Sequence, residues 1–291
     1  MARRLPPEEW FPAGVAGITV RRVKTSDGLT LRVLEAGPLD GPPVLLLHGW
    51  AVTAYLWRHN ILPLAAVGHR VIAPDLHGHG LSDAPSEPGR YRIKSFSATA
   101  LGLMDALGIA RASVVAQSMA GKIAVQMALD APERVSRLVL FGAVGFGLIP
   151  PWQALSPVVP KLPGEMPTML VPRQLVAFVQ RRVYGKLGWF TERDVDEYWA
   201  PTQFPHVVRA QLQMLREFPW ELWTESELRN LTTPTHVIFG TRDRTVRPHH
   251  AVRLAAALPN GRLTWIVDGG HVVMEEVADR VNAMLLADLA D

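Results

Sequence analysis

The sequence has no cysteine among its 291 residues. Disulfide bonds, thiolate nucleophiles and thiolate metal sites are therefore excluded. The chain also has no long apolar run, since the longest, residues 138–149 (LVLFGAVGFGLI), is too short to cross a bilayer and contains three glycines. No apolar stretch follows the two arginines near the N-terminus, so a signal peptide is not indicated either. We expect a cytoplasmic protein that has no membrane partner.

A strong excess of one charge is likewise missing. The 30 basic and 27 acidic side chains give a formal net charge of +3, and the basic pairs, such as Arg21–Arg22 and Arg181–Arg182, are scattered along the chain. Nucleic-acid binders usually concentrate positive charge on one face, so no nucleic-acid partner is expected. The hydrophobic fraction of 48% instead indicates a globular protein with a sizeable core.

The patterning of the chain indicates an α/β fold. Two segments in which apolar and polar residues alternate, 18–23 and 29–34, flank Asp27-Gly28, which is a strong hairpin signal. Continuous apolar runs of the kind found in buried parallel strands follow. These strands are predicted at 44–49, 70–75, 113–117 and 137–142, with helices between them at 56–66, 93–108 and 119–130. Strands that alternate with helices predict βαβ units and a mostly parallel sheet.

One block interrupts this alternation. From about residue 148 to 231 there is no strand pattern, and two capping boxes, Thr191 with Asp194 and Thr224 with Glu227, predict helices. The alternation then resumes with a strand at 235–240, a helix at 248–257, a strand at 263–268 and a helix at 272–288. The sequence thus predicts a core domain of residues 1–147 and 232–291, with a helical cap, residues 148–231, inserted into it.

Ser118 lies at the abrupt switch from the strand at 113–117 to the helix at 119–130. Its neighbours Ala116, Ala120 and Gly121 are small, as a tight strand-to-helix turn requires. Such a turn at the carboxyl end of a parallel strand projects a serine hydroxyl out of the sheet, which is the geometry of a nucleophile elbow. A helix N-cap is the alternative role for Ser118.

A serine nucleophile needs a base and a carboxylate that orients the base. His271 follows the last apolar strand, and Asp243 follows the strand before it, so both are expected at the same sheet edge as Ser118. The chain order serine, aspartate, histidine is the one found with nucleophile elbows. Asp268 is the rival carboxylate, but its place before Gly269-Gly270 suits a turn better than a catalytic role.

The same reasoning predicts an oxyanion hole. The backbone N–H of Met119, the residue after the serine, is one expected donor. The second is expected from Trp50, because the preceding Gly49 allows the backbone of that loop to approach closely. One such donor is worth about 3–4 kcal/mol of transition-state stabilisation.

These motifs together resemble the α/β-hydrolase fold family from about residue 17 onward: HGW (48–50), APDLHGHGLSDAP (73–85), QSMAG (117–121), FGTRD (239–243) and GGHVVMEE (269–276). The resemblance implies an eight-stranded, mostly parallel sheet with a helical cap after the sixth strand. Residues 57–85 resemble epoxide hydrolases and haloalkane dehalogenases in particular. Those relatives attack with an aspartate, whereas Ser118 favours acyl chemistry of the carboxylesterase kind. The chain departs from the family pattern at Ala116, Gln117, Ala120 and Ala278.

The resulting hypothesis is a serine hydrolase without a cofactor, which cleaves a small, largely apolar carboxylic ester with Ser118, His271 and Asp243. Lactonase, carbon–carbon bond hydrolase and perhydrolase activities on the same triad stay open, as does a non-hydrolytic role as a transferase, cyclase or ligand-binding protein. We expect a small-molecule ester and water as partners, and a monomer or homodimer. Substrate contacts are expected from Trp50, Met119 and the cap tryptophans Trp152, Trp189, Trp199, Trp220 and Trp223.

No metal site is predicted. The HGHG motif at 77–80 is interpreted as a turn, with His77 and His79 near the surface. His236, His249 and His250 lack the spacing and the carboxylate expected of a zinc site.

Overall fold

The computed structural model describes residues 5–144, 171–220 and 223–290. Within them, eight strands form one sheet. The strands are β1 (Thr19–Lys24), β2 (Thr30–Ala36), β3 (Pro43–Leu47), β4 (Arg70–Pro74), β5 (Ala112–Gln117), β6 (Val135–Phe141), β7 (Thr235–Gly240) and β8 (Gly261–Ile266).

The sheet has the order β1-β2-β4-β3-β5-β6-β7-β8. The β1–β2 and β2–β4 pairs are antiparallel and all the other pairs are parallel. The predicted hairpin is present, and Gly28 occupies its turn with φ +88°, a conformation that glycine adopts without strain. The predicted mostly parallel, eight-stranded sheet is therefore confirmed, and the carboxyl ends of β3 and β5 to β8 share one edge.

Helices cover both faces of the sheet. Their ranges are α1 (Ile61–Ala66), α2 (Ile93–Ala106), α3 (Met119–Asp130), α4 (Arg173–Val183), α5 (Glu192–Trp199), α6 (Pro205–Glu217), α7 (Glu225–Leu228), α8 (His249–Ala257), α9 (Val273–Glu276) and α10 (Ala278–Leu289). None of the described helices is long and apolar enough to span a membrane.

The core is divided by the sheet into two apolar clusters. Alternate strand residues point to opposite faces, so Leu45 and Val114 pack in one cluster with α2 and α3. Leu46 and Val115 pack in the other, with α1 and α10. Each fully buried side chain of this size contributes roughly 2 kcal/mol of hydrophobic stabilisation. This packing holds the strand ends, and thus the site at their carboxyl edge, in fixed positions.

Two predicted helices differ from those observed. The helix predicted at 56–66 is a 3-10 turn, Ala54–Trp57, followed by α1. Pro63 cannot donate a hydrogen bond to the carbonyl of His59, and the side chain of Asn282 donates to that carbonyl instead, at 2.9 Å. The helix predicted at 272–288 is divided into α9 and α10 at Val277, whose φ of −140° and ψ of 54° lie outside the helical region.

In its described parts, 171–220 and 223–231, the inserted block contains helices and no strand, and the helices are joined by non-helical segments such as 184–191. Both predicted capping boxes are present: Thr191 with Asp194 begins α5, and Thr224 with Glu227 begins α7. The proposed domain boundary at residue 148 lies outside the described residues.

Candidate active site

Ser118 is the single residue between β5 and α3, and its backbone is strained. Its φ of 54° and ψ of −118° are unusual for a residue with a side chain, and positive φ costs such a residue about 1–2 kcal/mol. Three hydrogen bonds hold the turn: Ser118 N–H donates to the Phe141 carbonyl at 2.9 Å, and the N–H groups of Gly121 and Val144 donate to the Ser118 carbonyl at 3.0 and 3.2 Å. This is the geometry predicted for an elbow, and backbone strain of this kind often accompanies function.

The small residues around Ser118 make this turn possible. A β-carbon at Gly121 would lie 2.5 Å from the β-carbon of Ala143, and one at Gly49 would lie 3.0 Å from that of Ser118. Ala116 and Ala120 are fully buried, and their methyl groups are part of the core. The two alanines at the outer positions of the motif are therefore compatible with the elbow, whereas Gly121 and Gly49 leave no room for a side chain.

His271 and Asp243 form a buried hydrogen-bonded pair. His271 Nδ1 lies 2.7 Å from Asp243 Oδ2. The other carboxylate oxygen, Oδ1, accepts hydrogen bonds from the backbone N–H groups of Thr245 and Val246, both at 2.8 Å, so the carboxylate is fixed in orientation. With Nδ1 bonded to Asp243, the opposite ring nitrogen Nε2 is left for proton exchange.

Gly142 provides the space for this pair and was not singled out by the sequence. A β-carbon there would lie 2.9 Å from His271 Nδ1 and 3.1 Å from Asp243 Oδ2, and the φ of Gly142 is +51°. The feature of the sequence that could have indicated this role is the position of Gly142 directly after β6, the strand that lies between β5 and β7.

Asp268, the rival carboxylate, pairs with Arg242 and not with His271. Its φ of 62° fits the predicted turn, and its carboxylate forms an exposed ion pair with Arg242. The hydrogen bond from Arg242 lowers the pKa of Asp268. The structure thus brings His271 together with Asp243 and places Asp268 at the surface.

The serine and the histidine share the carboxyl edge of the sheet. Gln117, the residue before Ser118, donates from Nε2 to the carbonyl of His271 at 3.4 Å. Within the described residues the Ser118 hydroxyl makes no hydrogen bond. Hydrogen bonds between catalytic groups are often long without substrate and tighten when it binds.

The residues predicted for the oxyanion hole lie beside the serine. Met119 is the first residue of α3, a position whose N–H has no acceptor within the helix. Trp50 follows Gly49 in the loop after β3. His48 braces this loop, because its Nδ1 bonds to the Gly49 carbonyl and its Nε2 accepts from Leu76 N–H, both at 2.8 Å. Burial lowers the pKa of His48, which favours the neutral ring that this arrangement requires.

The predicted cap tryptophans occupy different environments. Trp220 packs edge-to-face against Trp50, with ring centroids 6.3 Å apart. Trp223 is buried in the core, and the Lys122 ammonium lies over its ring. Trp199 donates to the Val171 carbonyl, whereas Trp189 is 66% exposed and stacks on Phe190. Trp152 lies outside the described residues. Trp220 is thus the described cap tryptophan with a contact to the predicted oxyanion loop.

The expectation that His77 and His79 lie near the surface is wrong. Both are fully buried, and His77 stacks on Phe96 with ring centroids 4.0 Å apart. The tight HGHG turn directs these rings inward, because Gly78 and Gly80 adopt positive φ. In the described part of the chain, no cluster of three or more histidine, aspartate or glutamate side chains could hold a metal ion. His236 is paired with Asp288 at 2.6 Å, near the amino-terminal end of β7 and thus at the sheet edge opposite to the one that carries Ser118.

A family model described as the alpha/beta hydrolase fold matches residues 42–277. The chain is 30% identical over 261 residues to a 2-hydroxy-6-oxo-6-phenylhexa-2,4-dienoate hydrolase of Burkholderia cepacia, an alignment that covers 87% of this chain and 89% of the relative. It is 32% identical over 263 residues to the magnesium-chelatase 30 kDa subunit of Rhodobacter capsulatus, again covering 87% and 89% of the two chains.

Among solved structures, a 2-hydroxy-6-oxo-6-phenylhexa-2,4-dienoate hydrolase from Rhodococcus sp. strain RHA1 superimposes with a TM-score of 0.78 at 25% identity. That match covers 94% of this chain and 100% of the other.

Proposed function

Because the chain belongs to the α/β-hydrolase family, we propose that it is a serine hydrolase that cleaves a small, largely apolar carboxylic ester through an acyl-enzyme. The observation that carries this proposal is the buried His271–Asp243 pair at the same sheet edge as the strained Ser118. A serine hydroxyl is a weak nucleophile by itself, and an oriented imidazole is the group that activates it.

In the proposed acylation step, Ser118 Oγ attacks the ester carbonyl carbon and His271 Nε2 takes the hydroxyl proton. The Met119 and Trp50 N–H groups stabilise the oxyanion of the tetrahedral intermediate. The carbon–oxygen bond to the alcohol then breaks, and His271 returns its proton to the leaving alcohol. Asp243 holds the imidazole in the tautomer that this transfer requires and stabilises the imidazolium.

Deacylation repeats the sequence with water. His271 removes a proton from water as the oxygen attacks the acyl carbon, and the proton then passes to Ser118 Oγ as the acyl–oxygen bond breaks. The carboxylic acid leaves and the free enzyme is restored, so no redox partner or cofactor is needed for balance.

An apolar substrate is supported by the aromatic surroundings of the oxyanion loop. Trp50 contacts Trp220, which in turn packs on Phe218 with ring centroids 4.8 Å apart. The aromatic rings therefore favour an apolar acyl group. Lys122, one turn after Ser118 on α3, donates to the Pro219 carbonyl at 2.7 Å, and its ammonium group lies over the Trp223 ring.

Carbon–carbon bond hydrolysis of a diketone is the second candidate. The relatives from Burkholderia cepacia and Rhodococcus are named as hydrolases of a 2-hydroxy-6-oxo-dienoate. The same serine, base and oxyanion donors could act on a ketone carbonyl, with a carbon acid as the leaving group.

A panel of substrates separates the two candidates. We expect p-nitrophenyl esters of graded acyl length to be hydrolysed with higher kcat/KM than a lactone or a 2-hydroxy-6-oxo-dienoate, and Ser118→Ala to remove the activity. Preference for the dienoate would replace the ester proposal with the second candidate. Turnover of none of these compounds by the wild-type protein would contradict both.

A further inference from the structure

A short segment of the helical insert, residues 183–187, runs along the loop that carries His271. The backbone N–H of His271 donates to the Val183 carbonyl at 2.7 Å, and the Lys186 N–H donates to the Asp268 carbonyl at 2.8 Å. The His271 loop is thus bonded to the insert through the His271 N–H and the Asp268 carbonyl, and to the core through the Gly269 carbonyl, which accepts from the Arg242 N–H at 2.9 Å, and the His271 carbonyl, which accepts from Gln117.

The side chain of Glu276 fastens the same two segments together. Its Oε1 accepts from the Gly270 N–H at 2.7 Å, and its Oε2 accepts from the Gly185 N–H at 2.8 Å. Gly270 is the residue immediately before His271, whereas Gly185 belongs to the insert. The Glu276 side chain is buried, and hydrogen bonds from backbone N–H groups to a carboxylate are stronger than those between neutral groups.

The two segments approach as closely as their backbones allow. A β-carbon at Gly185 would lie 2.5 Å from Gly270 N and would also meet the Asp268 carbonyl. A β-carbon at Gly270 would lie 2.6 Å from the carbonyl carbon of Tyr184. Because the contact lacks side chains on both sides, a displacement of the insert segment is passed directly to the backbone of His271.

The neighbouring Glu275 anchors α9 to the insert at a second point. Its carboxylate accepts hydrogen bonds from the hydroxyl groups of Tyr184 and Tyr198. Arg58 bridges Glu275 at 2.6 Å and Asp194 at 2.8 Å, and all these groups are buried or nearly so. The helix that follows His271 is therefore held by the insert as well.

We propose that Glu276 is a positioning residue for His271, and that the insert segment 183–187 is part of what keeps the imidazole aligned between Asp243 and Ser118. This inference rests on the proposed function, in which His271 is the base. Its consequence is that the insert supports the chemistry itself, in addition to any contacts that it makes with substrate.

The test compares Glu276→Gln with a matched control, Glu217→Gln. Glu217 also accepts from two backbone N–H groups across the boundary between insert and core, those of Gly89 and Tyr91, both at 3.0 Å, but it does not bond to the His271 loop. In Glu276→Gln the amide nitrogen must face one of the two N–H donors, so one hydrogen bond is lost.

We expect Glu276→Gln to lower kcat by about tenfold to a hundredfold, since misplacement of a catalytic group by about 1 Å has an effect of this size, with little change in KM. In Glu276→Gln the low-field proton NMR resonance of His271 Nδ1–H should shift or broaden. This resonance is assigned by its disappearance in His271→Ala. Glu217→Gln should leave both kcat and the resonance unchanged.

Gly185→Ala is the second variant, since it displaces the insert segment without altering any carboxylate, and the same changes in kcat and in the resonance are expected. It also provides the readout if Glu276→Gln does not fold. The inference is overturned if neither variant changes the resonance or kcat, or if Glu217→Gln changes them equally. The resonance requires no substrate, so it tests the positioning even if the ester proposal fails.

Discussion

At the scale of single residues, the site depends on side chains that are missing as much as on those that are present. A side chain at Gly49 or Gly142 would displace the site. A β-carbon would lie 3.0 Å from the Ser118 β-carbon at Gly49 and 2.9 Å from His271 Nδ1 at Gly142. Ser118, Asp243 and His271 could be singled out from the sequence because reactive residue types follow predicted strands. Gly142 could not, because a glycine after a strand has many causes other than making room for a histidine.

The role of Gly142 leads to a prediction about Gly142→Ala. Its methyl group would press on the His271–Asp243 pair, so we expect activity to fall by at least about tenfold, as a small displacement of catalytic groups does. The matched control is Gly28→Ala, which also forces alanine into positive φ but has open space around it.

Both variants should lose about 1–2 kcal/mol of unfolding free energy from backbone strain. Steady-state kinetics and urea denaturation measure the two effects. Equal activity in the two variants would show that Gly142 matters for the backbone alone.

The buried His77 gives a prediction about pH. Burial lowers its pKa from 6.5 to about 4, an effect that the hydrogen bond to the Arg90 carbonyl opposes. Between these values the unfolded chain binds more protons than the folded one, so stability falls as the pH drops from about 6.5 towards 4. His77 alone accounts for up to about 3 kcal/mol of this loss.

Urea denaturation of wild type and His77→Gln between pH 7.5 and about pH 4.5 measures the effect. We expect the dependence of unfolding free energy on pH to be shallower in the variant, by up to one proton. Identical slopes would show that His77 is not kept neutral by burial.

At the scale of elements, strands β3 to β8 were predictable because each is a mostly apolar run between turn signals, and β1 and β2 because they alternate on either side of a hairpin signal. The start of the helix predicted at 56–66 could not be predicted correctly, because the apolar pattern continues past Pro63 although this proline changes the local hydrogen bonding. Similarly, periodicity does not show that Val277 divides the last helix. The inward direction of His77 and His79 follows from the backbone path of a glycine-rich turn, which the residue pattern alone does not specify.

The insert element leads to a prediction about acyl-chain selectivity. Trp220 contacts Trp50, so we expect Trp220→Ala to shift the preferred acyl length of the ester upward, because each methylene that enters the vacated space gains about 0.8 kcal/mol, or roughly fourfold in kcat/KM. Trp189→Ala is the control, since that side chain is mostly exposed. Measurement of kcat/KM for the graded ester series in both variants tests this shift in preferred acyl length. An unchanged optimum in Trp220→Ala would exclude this side chain from the acyl pocket.

At the scale of the whole molecule, the insert and the sheet act as one unit around His271. The contacts between residues 183–187 and 268–276 join segments that are more than 80 residues apart, and they run through backbone groups and buried carboxylates. No local sequence pattern predicts contacts between segments so far apart in the chain. The GGHVVMEE motif could therefore be recognised from the sequence, but the contacts of Glu276 with the insert could not be predicted. The eight-stranded, mostly parallel sheet, in contrast, was predictable from the βα alternation together with the family resemblance.

The central claim is that Ser118 is a nucleophile activated by the His271–Asp243 pair, and covalent labelling tests it most directly. Wild type, Ser118→Ala, Asp243→Asn and Asp268→Asn are each treated with a fluorophosphonate, and the modified peptide is identified by mass spectrometry. We expect one adduct on Ser118 in wild type and none at that position in Ser118→Ala. Labelling should be far slower in Asp243→Asn, where a change of histidine tautomer costs about 10⁴-fold in the serine-protease precedent, and near wild type in Asp268→Asn. An unlabelled Ser118 in the folded wild-type protein, or equal rates in the two aspartate variants, would contradict the account.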